Sequence, residues 1–259
     1  MRYLQFVVLF GLAALLAHPA LAQQKRRNIL LSIAPSVGAT NYKGDLDDDF
    51  ALKFTRPGVG LGAHLYVTPH MSIRASFNQG WMGANDSSST NDARKWRNLH
   101  FRSTLQEFSL QLVYDFFAST RSYKFRQKWS PYVYGGVAVY HFNPKAKPHP
   151  DWVTAFPDLF TGADDWVELH PLRTEGQGLG IQGYADTQYA LTQISIPFGV
   201  GIRYKLRDNM NLRVEVGLRK TFTDYLDDVS HLYAPPADLA SYDLRSFLFA
   251  DRSGYTNFG

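Results

Sequence analysis

The 259-residue sequence contains no cysteine. Disulfide stapling is therefore excluded, and so is a lipoprotein-type export signal, which needs a cysteine to carry the lipid. Long apolar runs are also missing. After residue 22 no stretch approaches the ~20 apolar residues of a membrane-crossing helix. The net charge of +4 is small and interspersed, and no basic stripe alternates with stacking aromatics, so nucleic acid is not an expected partner. No glycine-rich phosphate loop precedes a helix, and no histidine spacing suits a metal.

The one apolar run that is present lies at the start. Arg2 supplies a positive n-region, Leu4 to Ala17 an apolar h-region, and Ala20-Leu21-Ala22 a small-residue cleavage site before Gln23. Residues 1–22 read as a secretory signal peptide, too short to span a bilayer. Residues 23–259 read as one domain. Its aromatic content is 15%, with 15 Tyr and 18 Phe, which favours surfaces where lipid meets water.

The clearest pattern is ISIPFGVGIRYKLRDNMNLRVEVGLRKTFTDYLDDVS, Ile194 to Ser230. Ile194, Ile196, Phe198, Val200 and Ile202 alternate with small residues and Arg203; Leu212, Val214, Val216 and Leu218 alternate with Arg213, Glu215, Gly217 and Arg219. A period of two puts each set on its own face of a sheet. Similar alternation predicts strands over Ile29–Val37, Gly58–Val67, Met71–Trp81, about Phe101–Phe116, and Trp129–Phe142, the last with both faces apolar. The connections run long, short, long, medium, long, short, long. Short turns on one side and long loops on the other fit a small antiparallel transmembrane β-barrel of the eight-stranded type, all-β, with its apolar face in lipid. Seven strands are counted. Ser241–Ala250 reads as a short helix and nothing after Ser253 is long enough, so the last strand is expected to be missing from this chain.

Several pieces resemble a known family: SVGATNYKGDL at Ser36, RPGVGLG at Arg56, RNLHFRS at Arg97, WSPYVYGGVAVYHFNPKA at Trp129, LHPLRTEGQG at Leu169, FADRSG at Phe249 and, most specific, TFTDYLDDVS at Thr221. They are spread over most of residues 23–259. The chain resembles the DUF6089-type outer-membrane barrels of Bacteroidetes, the PorG-like component of the type IX secretion and gliding machinery. The resemblance implies a non-enzymatic barrel, reached by Sec-type export, that anchors the secretion apparatus by contacting its periplasmic ring subunits. No cofactor is implied. The alternative is a stand-alone barrel whose long external loops bind a surface partner or ligand.

Four basic residues of the medium connection, Arg121, Lys124, Arg126 and Lys128, form the longest patch on the short-turn side and are the expected docking surface for the ring. Asp224, Tyr225, Asp227 and Asp228 form an acidic loop motif after the last strand. It lacks the spacing and glycine of a calcium loop, so its acids are expected to cap turns and pair with Arg219 or Lys220. Asp45 and Asp47 to Asp49 are expected to be solvated. The inward Arg74, Arg203, Arg213, Arg219, Glu107 and Glu215 are expected to fill a narrow lumen with salt bridges rather than line a pore. Serines and His64, His70, His100 and His141 show no spacing that links a nucleophile to a base. Amino-terminal sequencing of the exported protein is expected to begin at Gln23; retention of residues 1–22 would remove the signal-peptide reading.

Overall fold

The computed structural model describes residues 30–41, 55–86, 98–117, 127–207, 209–223, 225–228, 234–250 and 252. Residues 1–22 with their cleavage site, the lead-in 23–27, Asp45, Asp47 to Asp49, Arg121, Lys124, Arg126 and Asp224 lie outside the described residues. The chain divides into Met1–Leu30 and Leu31–Gly259, and only the second unit is described at length.

That unit is built on a meander of seven long antiparallel strands. They are β1 (Leu30–Thr40), β2 (Arg56–Tyr66), β3 (Met71–Asn85), β4 (His100–Asp115), β5 (Trp129–Ala146), β7 (Thr192–Lys205) and β8 (Asn211–Thr221). A two-residue strand, β6 (Val167–Glu168), pairs with the end of β5 off the main path. The order β1-β2-β3-β4-β5-β7-β8 follows the chain, and β1 and β8 are its two edges. The architecture is that of an all-β small barrel, as the alternation requires. The sheet is curled. Side chains of β8 reach β2, β3 and β4 across the interior, as the ion pairs below show.

The strands form because two-residue periodicity gives each an apolar and a polar edge. The outward face carries exposed Val59, Leu61, Ile73, Phe77, Phe108, Leu110, Leu112, Val137, Val139, Ile194 to Ile202 in alternation, and Leu212 to Leu218 in alternation. The inward face carries His64, Ser72, Arg74, Ser76, Glu107, Ser109, Gln111, Ser195 and Arg203, all buried. This is a soluble protein turned inside out. Trp129–Phe142, whose register the sequence leaves open, resolves the same way: Val133, Val137 and Val139 face out, while Tyr132, Ala138, Tyr140 and Phe142 face in. Glycines on the inner face make room for the large rings. The Tyr132 ring lies across Gly201, where an added Cβ would sit 2.5 Å from Cζ.

The lumen is filled by charge pairs. Arg74 donates to Gln111 at 2.6 Å and to Glu215 at 2.5 Å, and the same Glu215 oxygen accepts from Tyr132 at 2.6 Å. Arg219 forks onto Glu107 at 2.6 and 3.1 Å, with Asn78 donating to the same carboxylate at 3.1 Å. Arg203 meets Asp115 at 3.3 Å, and Arg213 donates to the Tyr66 hydroxyl at 2.9 Å. The expected salt-bridged filling is what the inward residues build.

The strands are unequal. β1, β2 and β8 have 11 residues each, whereas β3, β4 and β5 have 15, 16 and 18. The extra turns of alternation continue past the apolar band on the long-loop side. There their inner residues Met82, Ala84, Phe101 and Ala146 pack with Trp152, Phe160, Leu169, Leu172, Leu248 and Phe249. These come from two short helices, α1 (Pro150–Ala155) and α3 (Leu244–Ala250), and from the segment between α1 and β7; a further helix, α2 (Pro236–Tyr242), packs Leu239 with Ala234 and Ala250 in a separate small cluster. The result is a cap with its own apolar core. Ser241–Ala250 is helical, as the sequence predicts, apart from Asp243 between the two helices.

One lumen pair gives a sharp test. Glu107 is 1% exposed, so Arg219→Met would leave a buried carboxylate facing Asn78 alone. The variant is expected to lose about 3 kcal/mol of stability, the range found when one partner of a buried pair is removed. Adding Glu107→Gln should restore most of it. Urea unfolding followed by heat-modifiable gel migration measures both; equal destabilisation in single and double variants would mean the pair is not what matters.

Candidate functional site

The two ends of the sheet differ, and each carries one group of residues singled out by the sequence. At the short-turn end, Thr68 Oγ1 accepts from His70 N and Met71 N, closing the turn between β2 and β3. The β7–β8 turn is closed by Leu206 N donating to Met210 O at 3.1 Å. Aromatic side chains gather at this end: Trp129 packs on Tyr204 at 4.5 Å, and Tyr114 on Phe116 at 5.7 Å. Of the four basic residues expected to dock a partner, only Lys128 is described. It is exposed, and its carbonyl accepts from Lys205 N at 2.8 Å, which ties the start of β5 to the end of β7.

At the long-loop end the acidic motif takes an unexpected position. Tyr225 to Asp227 form a single 3-10 turn, and Tyr225 stacks flat on Tyr189 at 4.7 Å. Asp228 follows in the left-handed region at φ 66°, a conformation aspartate tolerates. Its side chain is buried at 2% exposure. Oδ2 accepts from Thr174 Oγ1 at 2.6 Å and Oδ1 from the Tyr189 hydroxyl at 2.6 Å. The expected pairing with Arg219 therefore fails for Asp228: Arg219 is held by Glu107. The physical reason is that β8 ends below the cap, and the chain turns inward under residues 170–190 instead of along the rim. Residues about fifty positions apart in sequence cannot be paired from alternation alone.

Burial pushes the Asp228 carboxyl up to about 7, with the nearby Glu175 charge adding to it and the two hydroxyl donors opposing. Asp228 thus fastens the segment after β8 to the long loop between β6 and β7. A second fastening lies beside it. Arg252 is buried, with its guanidinium 5.0 Å from the ring centres of both Trp152 and Phe249, and it donates to the Lys147 carbonyl. His100, at the start of β4, meets Arg252 Nη1 through Nδ1 at 2.7 Å and accepts from Lys147 N through Nε2 at 3.0 Å.

Between cap and lumen charges lies a cavity of about 410 Å³, lined on one side by Ser36 and Thr40 of β1 and on the other by Arg219 and Thr221 of β8. Tyr140 and Ser195 reach it with buried hydroxyls that find no hydrogen-bond partner among the described residues. The arrangement is polar below and apolar above, where Leu226 and Met82 form the roof. The four histidines occupy four separate places. His64 is buried in the lumen, His70 meets the Asp115 carbonyl at 2.9 Å, His100 lies under the cap, and His141 faces outward against Thr192 at 3.1 Å. Among the described residues, no three His, Asp or Glu side chains are grouped to hold a metal ion. The sequence missed the cap fastening by Asp228 and Arg252. The apolar stretch LRSFLFA before Arg252 was the available signal.

The folded carboxyl of Asp228 is raised above its unfolded value of 3.8, so the folded state holds the proton more tightly. Cap stability is therefore greatest at low pH and falls as pH rises from about 4 to about 7, after which it is level. Hydrogen exchange, corrected for intrinsic rates, should show stronger protection of residues 170–190 and 225–228 at about pH 5 than at about pH 8. Asp228→Asn should abolish that difference; an unchanged pH dependence in the variant would assign it to another group.

Comparison with known proteins gives one finding. The family model described as "Domain of unknown function (DUF6089)" matches residues 7–147, more than half of the chain. No curated protein and no solved structure matches. The match begins in the amino-terminal segment and ends just beyond β5, so it covers most of the long strands and stops before α1. The chain belongs to the DUF6089 family.

Proposed function

We propose that this chain is an outer-membrane β-barrel without enzymatic activity, which anchors a type IX secretion apparatus by contacting its periplasmic ring subunits. The observation that carries the membrane part is the apolar band. On β4 it runs from Phe108 through Leu110, Leu112 and Tyr114, and Phe116 just past the end of β4 continues it, all exposed. The steps from Phe108 to Phe116 at ~3.4 Å rise make about 27 Å along the strand, or about 21 Å along the normal at a tilt of ~40°. The outward band of such barrels is ~25 Å tall. The fold is compatible with this location, and no helix among the described residues is long and apolar enough to cross a membrane.

The machinery part is supported by the sequence resemblance, strongest at TFTDYLDDVS. On this reading the short-turn end faces the periplasm and the cap faces outward. The docking surface is the connection 116–128, with Arg121, Lys124, Arg126 and Lys128 as its cations. The cap favours a second reading, a stand-alone barrel that binds a surface partner there, because it is the part of the fold with an apolar core outside the membrane.

The deciding experiment purifies the tagged protein from detergent-solubilised outer membranes and identifies its companions by mass spectrometry. Recovery of ring subunits in stable proportion, lost on charge reversal of Arg121, Lys124 and Arg126, is the expected result. A folded barrel recovered alone would overturn the anchoring role. To separate the second reading, the loop deletion should be confined to residues 87–97. A cut spanning Gly83 to His100 would remove residues of β3 and β4 and the Leu99 contact in the cap core.

A further inference from the structure

On the outward face above the apolar band, two cations lie over one indole and a third stands across the strand from one of them. Arg102 of β4 and Lys145 of β5 are direct cross-strand partners, and Lys145 in turn faces Glu168 of β6. The Arg102 guanidinium lies 3.8 Å over the Trp166 ring, and Lys147 Nζ is 5.6 Å from the same ring. Two of the cations hold carboxylates: Lys145 meets Glu168 at 2.8 Å and Lys147 meets Asp164 at 2.7 Å. Both carboxylates are open to solvent, Asp164 at 99% side-chain exposure. Exposed pairs of this kind contribute only ~0–1 kcal/mol, so a stronger anion displaces them readily. Arg102 has no carboxylate partner among the described residues.

The height of the cluster defines its ligand. Trp81 is exposed on the outer face of β3 and pairs with Thr104. Indoles favour the boundary between hydrocarbon and headgroup. Arg102 is the next outward residue above Thr104, about 7 Å further along the strand and about 5 Å along the normal. Below on the same two strands come the polar outward residues Thr104, Gln106, Asn143 and His141, and then, about 20 Å down the strand from Arg102, Phe108, Leu110, Val137 and Val139. An acyl chain against those residues and a phosphate against Arg102 are the two ends of one molecule.

We propose that Arg102 and Lys147, which lie over Trp166, together with Lys145 across the strand from Arg102, bind the phosphate of a phosphorylated glycolipid headgroup in the leaflet on the long-loop side. This rests on the membrane-barrel reading. The planar Arg102 fork takes two phosphate oxygens, and the lysines serve as point charges beside it.

The test uses the full chain folded in phosphatidylcholine nanodiscs, with bis-phosphorylated lipid A as the probe and native mass spectrometry as the readout. Wild type is expected to retain the probe, and the triple variant R102A/K145A/K147A to bind at least about tenfold more weakly, as the loss of charge-assisted contacts requires. Dephosphorylated lipid A should bind wild type no better than the intact probe binds the variant. Glu168→Gln should move the other way and tighten binding, which guards against misreading a misfolded triple variant. Retention that ignores the phosphates, or displacement of the probe by inorganic phosphate or an acidic peptide at equal concentration, would overturn the assignment while leaving the barrel intact. Failure of wild type to enter the nanodiscs would overturn both readings together.

Discussion

Everything in this structure depends on keeping charge on the inside of a sheet whose outside is apolar. Period-two alternation commits each strand to that division, because a one-residue slip would exchange the two faces completely. Once the apolar face is outward, Arg74, Arg203, Arg213 and Arg219 project into the lumen, where acids and hydroxyls of other strands are their partners. They must find Glu215, Asp115, Tyr66 and Glu107. Those partners sit on strands far apart in sequence, with up to 147 residues between donor and acceptor. The ion pairs are therefore also what fixes the curl: a flatter sheet would separate β8 from β2, β3 and β4.

The cap follows from the same rule applied where it stops working. Above the apolar band, β3, β4 and β5 keep alternating, but their inner residues change from polar to apolar: Met82, Ala84, Phe101 and Ala146 replace Ser72, Arg74, Glu107 and Ser109. An apolar inner face at the mouth must be covered, and Trp152, Phe160, Leu248 and Phe249 cover it. Two buried charged groups then fasten the cover. Asp228 is held by neutral hydroxyls, and Arg252 lies against aromatic rings and a carbonyl oxygen. This arrangement makes the long-loop end a packed body, in contrast to the bare turns at the other end.

The alternation made the strands, their faces and the list of lumen charges legible in the sequence, because those properties are local. Partner choice inside the lumen was not legible, since alternation says which residues face in and nothing about which face each other across the barrel. β3 and β5 were read short for a related reason, whereas β4 was read at its full length: the sequence beyond Trp81 and Phe142 lacks the outward apolar residues that mark a lipid-facing strand. The cap was invisible as a unit because its core joins residues from Met82 to Phe249. Asp228 was misjudged because a DD pair beside a strand end looks like solvated turn chemistry until Thr174 and Tyr189 close over it.

The contrast between the ends bears on how such a barrel would work as an anchor. A docking surface on the periplasmic side would consist of short turns and one medium connection, rigidly spaced by the strands that carry them. Lys205 N bonded to the Lys128 carbonyl shows how closely the connection's end is tied to its neighbour. Force applied there passes along β4 and β5, which also carry part of the cap core and the cations above the band. Withdrawal through the bilayer would drag the packed cap and its charged rim through hydrocarbon, which costs far more than moving a bare barrel end. On the anchoring proposal, a cap of this kind would act as a mechanical stop at the end opposite the short turns, where a pull from the periplasm would meet it.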